Sequence, residues 1–160
     1  MGIIIAFIII SIWASHLIYS LLYVNVDFTN PVFYLHILLQ GYLYTGLFIT
    51  AHDAMHGTVS KNKFINKSIG SISTLLFAGL SYNKLIKNHF KHHKSPGENE
   101  DPDFYTKSQN FFIWWGTFLW RYTTITQLII MAVAFNILKI WFDEISIIVF
   151  WIVPAFLGTF

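Results

Sequence analysis

Cysteine is absent from this sequence of 160 residues, and charged residues make up only 11% of it. Without cysteine there is no disulfide framework and no thiolate ligand, so a bound metal ion must be held by nitrogen and oxygen atoms. An ordinary soluble domain has about 25% charged residues, so the low charged fraction of this chain excludes a soluble domain. In contrast, 55% of the residues are hydrophobic and 19% are aromatic, and the mean hydropathy is +0.55. This composition indicates an integral membrane protein.

The N-terminus also lacks the features of a secretory signal peptide. No basic residue precedes its apolar run, no small-residue cleavage site follows, and the run continues to Val24. A helix needs roughly 20 apolar residues to cross about 30 Å of hydrocarbon. Ile3–Val24 and Pro31–Ala51 meet that length and are separated by a short polar turn. The two segments therefore predict a helical hairpin.

The rest of the chain predicts helices of several kinds. Residues 64–82 include serines, glycines, an asparagine and a lysine, so we interpret them as an amphipathic or re-entrant segment. Phe111–Trp120 is aromatic-rich and too short to span, which predicts an interfacial helix. Ile125–Phe142 and Ile145–Phe160 are further candidate spans. The expected fold is all-α, a single membrane domain over 1–160 with about four transmembrane helices plus interfacial amphipathic helices.

Positive charge is concentrated in one part of the chain. Eight of the ten Lys and Arg residues lie between Lys61 and Lys107, whereas the short turns at 25–30 and 143–144 have none. The positive-inside rule therefore places the region 52–107 in the cytoplasm and both turns outside. We expect a multi-pass protein whose partner is the membrane and not a nucleic acid.

Five of the seven histidines fall into two helix-spaced patterns. His52 and His56 stand at i and i+4 directly after the second predicted span, and His89, His92 and His93 stand at i, i+3 and i+4. On a helix, residues at these spacings share a face. A spanning segment between the two patterns would hold them about 30 Å apart, whereas a re-entrant one leaves both on the same side. Imidazoles at this density predict a site for iron, zinc or copper rather than for calcium or magnesium.

Other interpretations apply to single residues. A histidine near a helix end can cap carbonyl groups, and a basic interfacial helix can bind anionic lipid. His16 and His36 lie within the first two spans and are predicted to hydrogen-bond inside the bundle. Arg121 and Lys139 are predicted to extend to interfaces. Four aromatic residues are interpreted first as an interfacial belt and second as part of a substrate groove: Trp114, Trp115, Trp120 and Tyr122.

Three aspartates accompany the histidines. Asp53 lies inside the first pattern and could orient a ligating imidazole by a hydrogen bond. Asp101 and Asp103 follow the second pattern and could do the same. For these two, an Asx-type turn around Pro102 is an equal alternative.

The segments His52-Asp-Ala-Met-His-Gly57 and His89-Phe-Lys-His-His93 resemble the first two histidine boxes of the membrane fatty-acid desaturase and hydroxylase superfamily. The approach from Tyr44 to the first box, and the tail from Pro96 to Phe104, resemble its carotenoid branch, the β-carotene ketolases.

The resemblance implies a di-iron centre that uses O₂ and electrons from ferredoxin or a similar reductant. It further implies a carotenoid or other lipid substrate in the bilayer and a keto group introduced into the ring of a β-carotene-type carotenoid. The iron ligands carried over are His52, His56, His89, His92 and His93. The supporting residues carried over are Asp53, Asp101 and Asp103.

The chain departs from the pattern at its end, because it stops at Phe160 without a third box of the form His-x-x-His-His. We therefore expect a C-terminally truncated chain. The alternatives are a carotenoid hydroxylase or lipid desaturase of the same superfamily, or an inactive truncated relative. A zinc protease is a weaker alternative, because His52-Asp-Ala-Met-His56 lacks the Glu that would follow the first His as general base.

Overall fold

The structure is a computed structural model that describes residues 1–104, 108 and 110–159, and every regular element in that part of the chain is helical. The all-α prediction is thereby confirmed. Lys107 and Phe160, which bound two of the segments discussed above, lie outside the described residues. The helices are α1 Gly2–Tyr23, α2 Pro31–Met55, α3 Lys63–Ala78, α4 Tyr82–Lys94, α5 Phe111–Tyr122, α6 Ile125–Leu138, α7 Glu144–Ile147, a π-helical turn Ile148–Ile152, and α8 Val153–Leu157.

The first two helices are the ones long and apolar enough, within the described residues, to cross a membrane unbroken. They lie where the sequence predicts the first two spans. The side chain of Asn30 accepts a hydrogen bond from the Val32 N–H, and Pro31, which has no N–H, occupies the first turn. Two of the first positions of α2 therefore leave no unpaired N–H group. At its other end α2 continues past the predicted end at Ala51 and includes His52.

The two later candidate spans are shorter than the sequence pattern suggests. Between α5 and α6 the chain bends by 86°, so this pair counts at most as one broken span. The bend occurs where Thr124 starts α6 with a capping box that involves Gln127. The apolar stretch Glu144–Leu157 is below spanning length. The described residues therefore contain two candidate spans, or three with the bent pair.

One predicted span ends earlier in the structure than the sequence indicates. Helix α6 stops at Leu138, and Lys139 forms an ion pair with Glu144 at the start of the next helix. The Lys139 side chain therefore connects the two sides of a turn, whereas the sequence predicted that it would extend to an interface.

The segment between the two histidine patterns is α3, which packs along α2. Its 16 residues extend only about 24 Å, less than the hydrocarbon thickness. Gly79 ends it with a left-handed φ of 67°, a conformation that glycine adopts without strain. At Gly70 a Cβ atom would lie 2.1 Å from the Tyr82 ring, so only glycine lets α4 pack this closely on α3.

A buried cluster holds these elements together at the histidine end of α2. Ala54 and Met55 of α2 pack with Ile69 of α3 and with Tyr82 and Leu85 of α4. This contact fixes α4 across the end of α2.

Away from that end, a polar cluster joins α1 to α2. His16 Nδ1 lies 2.5 Å from Oε1 of the fully buried Gln40, and His16 Nε2 lies 3.2 Å from His36 Nδ1. The Gln40 oxygen only accepts, so His16 carries its proton on Nδ1 and accepts from His36 with Nε2. The predicted hydrogen-bonding role of both histidines inside the bundle is confirmed.

Candidate metal centre

The first pair of imidazoles stands at the end of α2. The helix continues through Met55, and His56 is its C-cap, with its backbone N–H bonded to the His52 carbonyl at 3.2 Å. Gly57 then turns the chain away with a φ of 73°. Because the two histidines are one turn apart on the same helix, their ring centroids lie 4.7 Å apart.

The second group comes from α4. The Ser81 side chain caps this helix by accepting from the Lys84 N–H, and Leu85 is buried against α2 and α3. One turn further along the same face, His89 meets the first pair: its Nε2 lies 2.8 Å from His56 Nε2. His93 follows one turn later, with its ring centroid 5.2 Å from that of His56.

Four imidazoles therefore converge, each offering a ring nitrogen, with all four nitrogens within 4.8 Å of one another. Metal–nitrogen bonds of about 2.0–2.1 Å place ligands on one ion at most about 4.2 Å apart, so small ring rotations complete the fit. Nitrogen donors without thiolate suit iron, zinc or copper. The group consists of His52, His56, His89 and His93.

The electrostatics of this group favour the form that binds metal. Burial, together with the neighbouring imidazoles, lowers the pKa of His89 from 6.5 to about 4. His89 is therefore neutral at physiological pH, with a lone pair available to a cation.

His92 does not join the other four. One residue turns an α-helix by about 100°, so His92 and His93 cannot face the same point. Instead, His92 Nδ1 lies 2.9 and 3.0 Å from the two carboxylate oxygens of Asp101 and 3.8 Å from Oδ2 of Asp103. The hydrogen bond to Asp101 raises the pKa of His92. The sequence pattern suggested one shared face for all three histidines of α4, and the structure shows two of them together and one apart.

Asp101 is buried, with 2% of its surface exposed. It accepts hydrogen bonds from the backbone N–H groups of Gly97 at 2.7 Å and Asp103 at 2.8 Å. Burial alone would raise the pKa of Asp101, but these bonds and the one to His92 outweigh it and lower that pKa. Both interpretations from the sequence describe part of this geometry, because the same carboxylate closes an Asx-type turn and holds an imidazole.

Asp53 is placed differently. Its side chain is 54% exposed, and Oδ1 lies 3.7 Å from His52 Nδ1, which is too long for a hydrogen bond. The structure therefore brings Asp53 near the site without bonding it to an imidazole.

The loop that carries Asp101 is tied to α5 by contacts that sequence reasoning missed. Arg121 Nη1 donates to the carbonyl groups of Asp101, Pro102 and Phe104 at 3.3, 3.1 and 2.8 Å. Trp114 Nε1 donates to the Asp103 carbonyl at 2.7 Å. An interfacial position was expected for Arg121, but the free carbonyls of a proline-containing turn are a better partner for its guanidinium. The only sequence signal was a cation within 20 residues of an acidic turn.

Tyr122 makes the third contact of α5 with this loop, since its hydroxyl donates to Oδ1 of Asp103. Its ring also lines an apolar cavity of about 470 Å³ between α2, α3, α5, α6 and α8. Leu85 of α4, one turn before His89, lines the same cavity. Further lining residues include Phe48, Phe77, Phe118 and Met131.

Comparisons with known sequences give the relatives of this chain. Residues 29–160 match the family model described as fatty acid desaturase. Over 152 residues the chain is 34% identical to a zeaxanthin 4-ketolase of Chlamydomonas reinhardtii, covering 86% of this chain and 33% of the relative. Over 146 residues it is 32% identical to a β-carotene 4-ketolase of Protosiphon botryoides, covering 79% and 37%.

A more distant relative comes from the lipid-modifying branch. An sn-1 acyl-lipid omega-3 desaturase (ferredoxin) of Synechocystis is 33% identical over 88 residues, covering 54% of this chain and 23% of the relative. The chain spans about a third of the length of the two ketolases that it matches. No solved structure matches it significantly.

Proposed function

Because this chain belongs to the fatty acid desaturase family, we propose that it acts as a carotenoid ketolase, a membrane di-iron oxygenase that introduces a keto group into the ring of β-carotene-type carotenoids. The observation that carries the proposal is the convergence of four imidazoles from two separate helices; Leu85, on the same helix as two of them, lines an apolar cavity. The two ketolases named above align over most of the chain, and other ketolases are 40–41% identical over 88 residues, the same length over which the acyl-lipid desaturase is 33% identical.

The two groups of side chains are proposed to bind different iron ions. His52, His56, His89 and His93 are the proposed ligands of one iron ion. His92 donates its Nδ1 proton to Asp101, which leaves Nε2 as a lone pair for the second iron. Bound iron and O₂ would supply the oxidising power to replace a hydrogen on a saturated ring carbon.

The balance of the overall reaction defines what else is required. Each round takes one O₂, two electrons and two protons, converts a ring C–H to C–OH and releases one water. A second round at the same carbon gives a geminal diol, which loses water to become the ketone. The protein must therefore bind a hydrophobic ring, exclude bulk water from it and accept electrons twice.

The apolar cavity is the proposed site of the hydrophobic ring. Its volume of about 470 Å³ lies in the range of small-molecule sites, about 300–1,000 Å³, and suits the ring end of a carotenoid better than its whole length. Phe48, Phe77, Phe118 and Met131 present carbon atoms to it. Thr45 and Gln127 supply the few polar groups.

We further propose that the histidine end faces the cytoplasm in a multi-pass topology with about four spans, the last two being short or bent. The lysines of α3 and α4 support this orientation through the positive-inside rule. A ferredoxin or similar cytoplasmic reductant would then reach the site directly. The name of the Synechocystis relative includes ferredoxin, which supports this class of electron donor.

Pigment analysis tests the function. The chain, in its full reading frame, is expressed in bacteria that accumulate β-carotene, and extracted carotenoids are separated and weighed by mass spectrometry. We expect products that have gained one oxygen and lost two hydrogens per modified ring, and none from the His56→Ala variant. Products that gain only oxygen would assign a hydroxylase, and membrane lipids with additional double bonds would assign a desaturase. Unchanged pigments and lipids would contradict the proposal.

A further inference from the structure

The side chain of Tyr122 belongs to two structural units at once. Its ring is part of the wall of the apolar cavity and contacts the Phe118 ring at a centroid distance of 4.6 Å. Its hydroxyl bonds to the carboxylate of Asp103 in the loop that follows α4. Within the described residues, Tyr122 is the one cavity-lining side chain that also bonds to the aspartates at His92.

The carboxylate of Asp103 continues the connection. Its Oδ1 accepts from Tyr122, and its Oδ2 lies 3.8 Å from His92 Nδ1. The Asp103 backbone N–H also donates to Asp101 Oδ1 at 2.8 Å, and that oxygen lies 2.9 Å from the same imidazole nitrogen. A shift of the Tyr122 hydroxyl therefore reaches His92 through two short routes.

The described part of this loop, residues 95–104, is held at several points. Arg121 and Trp114 hold its carbonyl groups from one side, and Lys84 Nζ donates to the Arg121 carbonyl at 2.9 Å, which ties α5 to α4. The one described contact between this loop and α5 that a cavity ligand would touch directly is the Tyr122 phenol. A phenol is protonated at neutral pH, so it can donate to the carboxylate throughout the physiological range.

We propose that Tyr122 is a positioning residue that couples occupancy of the apolar cavity to the orientation of His92. A hydrophobic ring in the cavity presses on the tyrosine ring, and the hydroxyl passes the displacement to Asp103, Asp101 and the imidazole. The orientation of the metal-facing nitrogen of His92 thereby changes when substrate enters the cavity. This inference rests on the proposed function, because it needs His92 to bind a metal ion.

Visible spectroscopy of the Co²⁺-loaded protein tests the coupling without relying on turnover. The probe is β-ionone, a colourless molecule that reproduces the ring end of β-carotene, added in detergent micelles. His92→Ala first identifies the spectral component that depends on His92. We expect β-ionone to shift that component in the unmodified protein and in the matched control Tyr42→Phe, whose tyrosine is exposed on α2.

In Tyr122→Phe the cavity wall is kept and only the hydroxyl is lost. We expect unchanged β-ionone affinity, loss of the β-ionone-induced spectral shift, and a Co²⁺ affinity lowered about 3- to 10-fold, less than the 10- to 100-fold typical of a direct partner of a metal ligand. Affinity for β-ionone separates this role from a merely structural one, which would weaken binding as well.

Two results would overturn the inference in distinguishable ways. A Tyr122→Phe protein that responds to β-ionone like the unmodified protein excludes the coupling while leaving the proposed function intact. A His92→Ala protein with an unchanged spectrum excludes His92 as a ligand, and the proposed second iron position at His92 fails together with the coupling.

Discussion

Two histidine clusters in this molecule show how one residue type serves two purposes. Between α1 and α2, His36 is hydrogen-bonded to His16, and His16 is hydrogen-bonded to the fully buried Gln40. At the end of α2, four imidazoles face one another, and the nearest carboxylate, Asp53, lies beyond hydrogen-bond distance from His52. The first cluster is satisfied by protein groups. The second cluster brings together ring nitrogens whose lone pairs would bind a cation.

The largest effect that separates the clusters is on metal binding. We expect His56→Ala to lower Fe²⁺ or Co²⁺ affinity more than about 100-fold, because loss of a ligand exceeds the effect of losing an outer hydrogen-bond partner. His16→Ala serves as the control and leaves the affinity unchanged. Titration of the purified protein with Co²⁺ measures both. Equal losses in the two variants would abolish the distinction between the clusters.

A smaller effect is expected at the group beside the second cluster. Asp101→Asn keeps the shape of the side chain but weakens the hold on His92 Nδ1, so metal affinity is expected to fall about 10- to 100-fold. Asp53→Asn is the matched control, since Asp53 makes no hydrogen bond to an imidazole. Competition with a coloured chelator gives both values. A larger loss in the Asp53 variant would show that its carboxylate moves onto His52 when metal binds.

The converse experiment perturbs the satisfied cluster. Gln40→Leu removes the acceptor of His16 and leaves its Nδ1 proton unpaired in an apolar setting, a cost of about 1–3 kcal/mol in the free energy of unfolding. Metal affinity should stay the same, because the histidine end of α2 is not touched. Unfolding in mixed detergent micelles measures the first quantity. A stable variant with weakened metal binding would reverse the roles of the two clusters.

The smallest effect concerns pH in the metal-free protein. His89 has a folded-state pKa of about 4 against 6.5 for the unfolded chain, so its contribution to stability is present above pH 6.5 and is lost as the pH falls towards 4. His92 acts in the opposite sense: its pKa is raised, so its contribution is present below pH 6.5 and is lost as the pH rises through the folded-state value.

In His89→Gln, stability should therefore fall less as the pH decreases below 6.5. In His92→Gln, stability should fall less as the pH increases above 6.5. Denaturation midpoints measured between pH 4 and 8 on chelator-treated protein check both. An acid limb that persists unchanged in His89→Gln would assign the proton uptake to other groups.

Much of this architecture follows from simple sequence patterns. Apolar runs of sufficient length predict α1 and α2, and the polar residues of the next segment exclude a span and so bring the two histidine patterns together. The break between α5 and α6 was predictable from the polar residues that separate the two segments, but the angle of 86° was not, because it depends on how the helices pack in the fold.

The site was predictable in part for a similar reason. Helical spacing predicts that His52 and His56 share a face, but it does not resolve which of His92 and His93 turns towards them, because that depends on how Leu85 packs. The contacts of Arg121 and Tyr122 with the loop after α4 join residues about 20 positions apart. No local period encodes such contacts, and they require the fold itself.

X-ray absorption at the iron edge of the Fe²⁺-loaded protein tests most directly whether the four converging imidazoles form a metal site. The account predicts a nitrogen shell with the multiple-scattering pattern of imidazole, at a distance close to the 2.0–2.1 Å of metal–imidazole bonds, reduced in His56→Ala and unchanged in His16→Ala. A shell of oxygen atoms alone, or a spectrum that His56→Ala leaves unaltered, would contradict it.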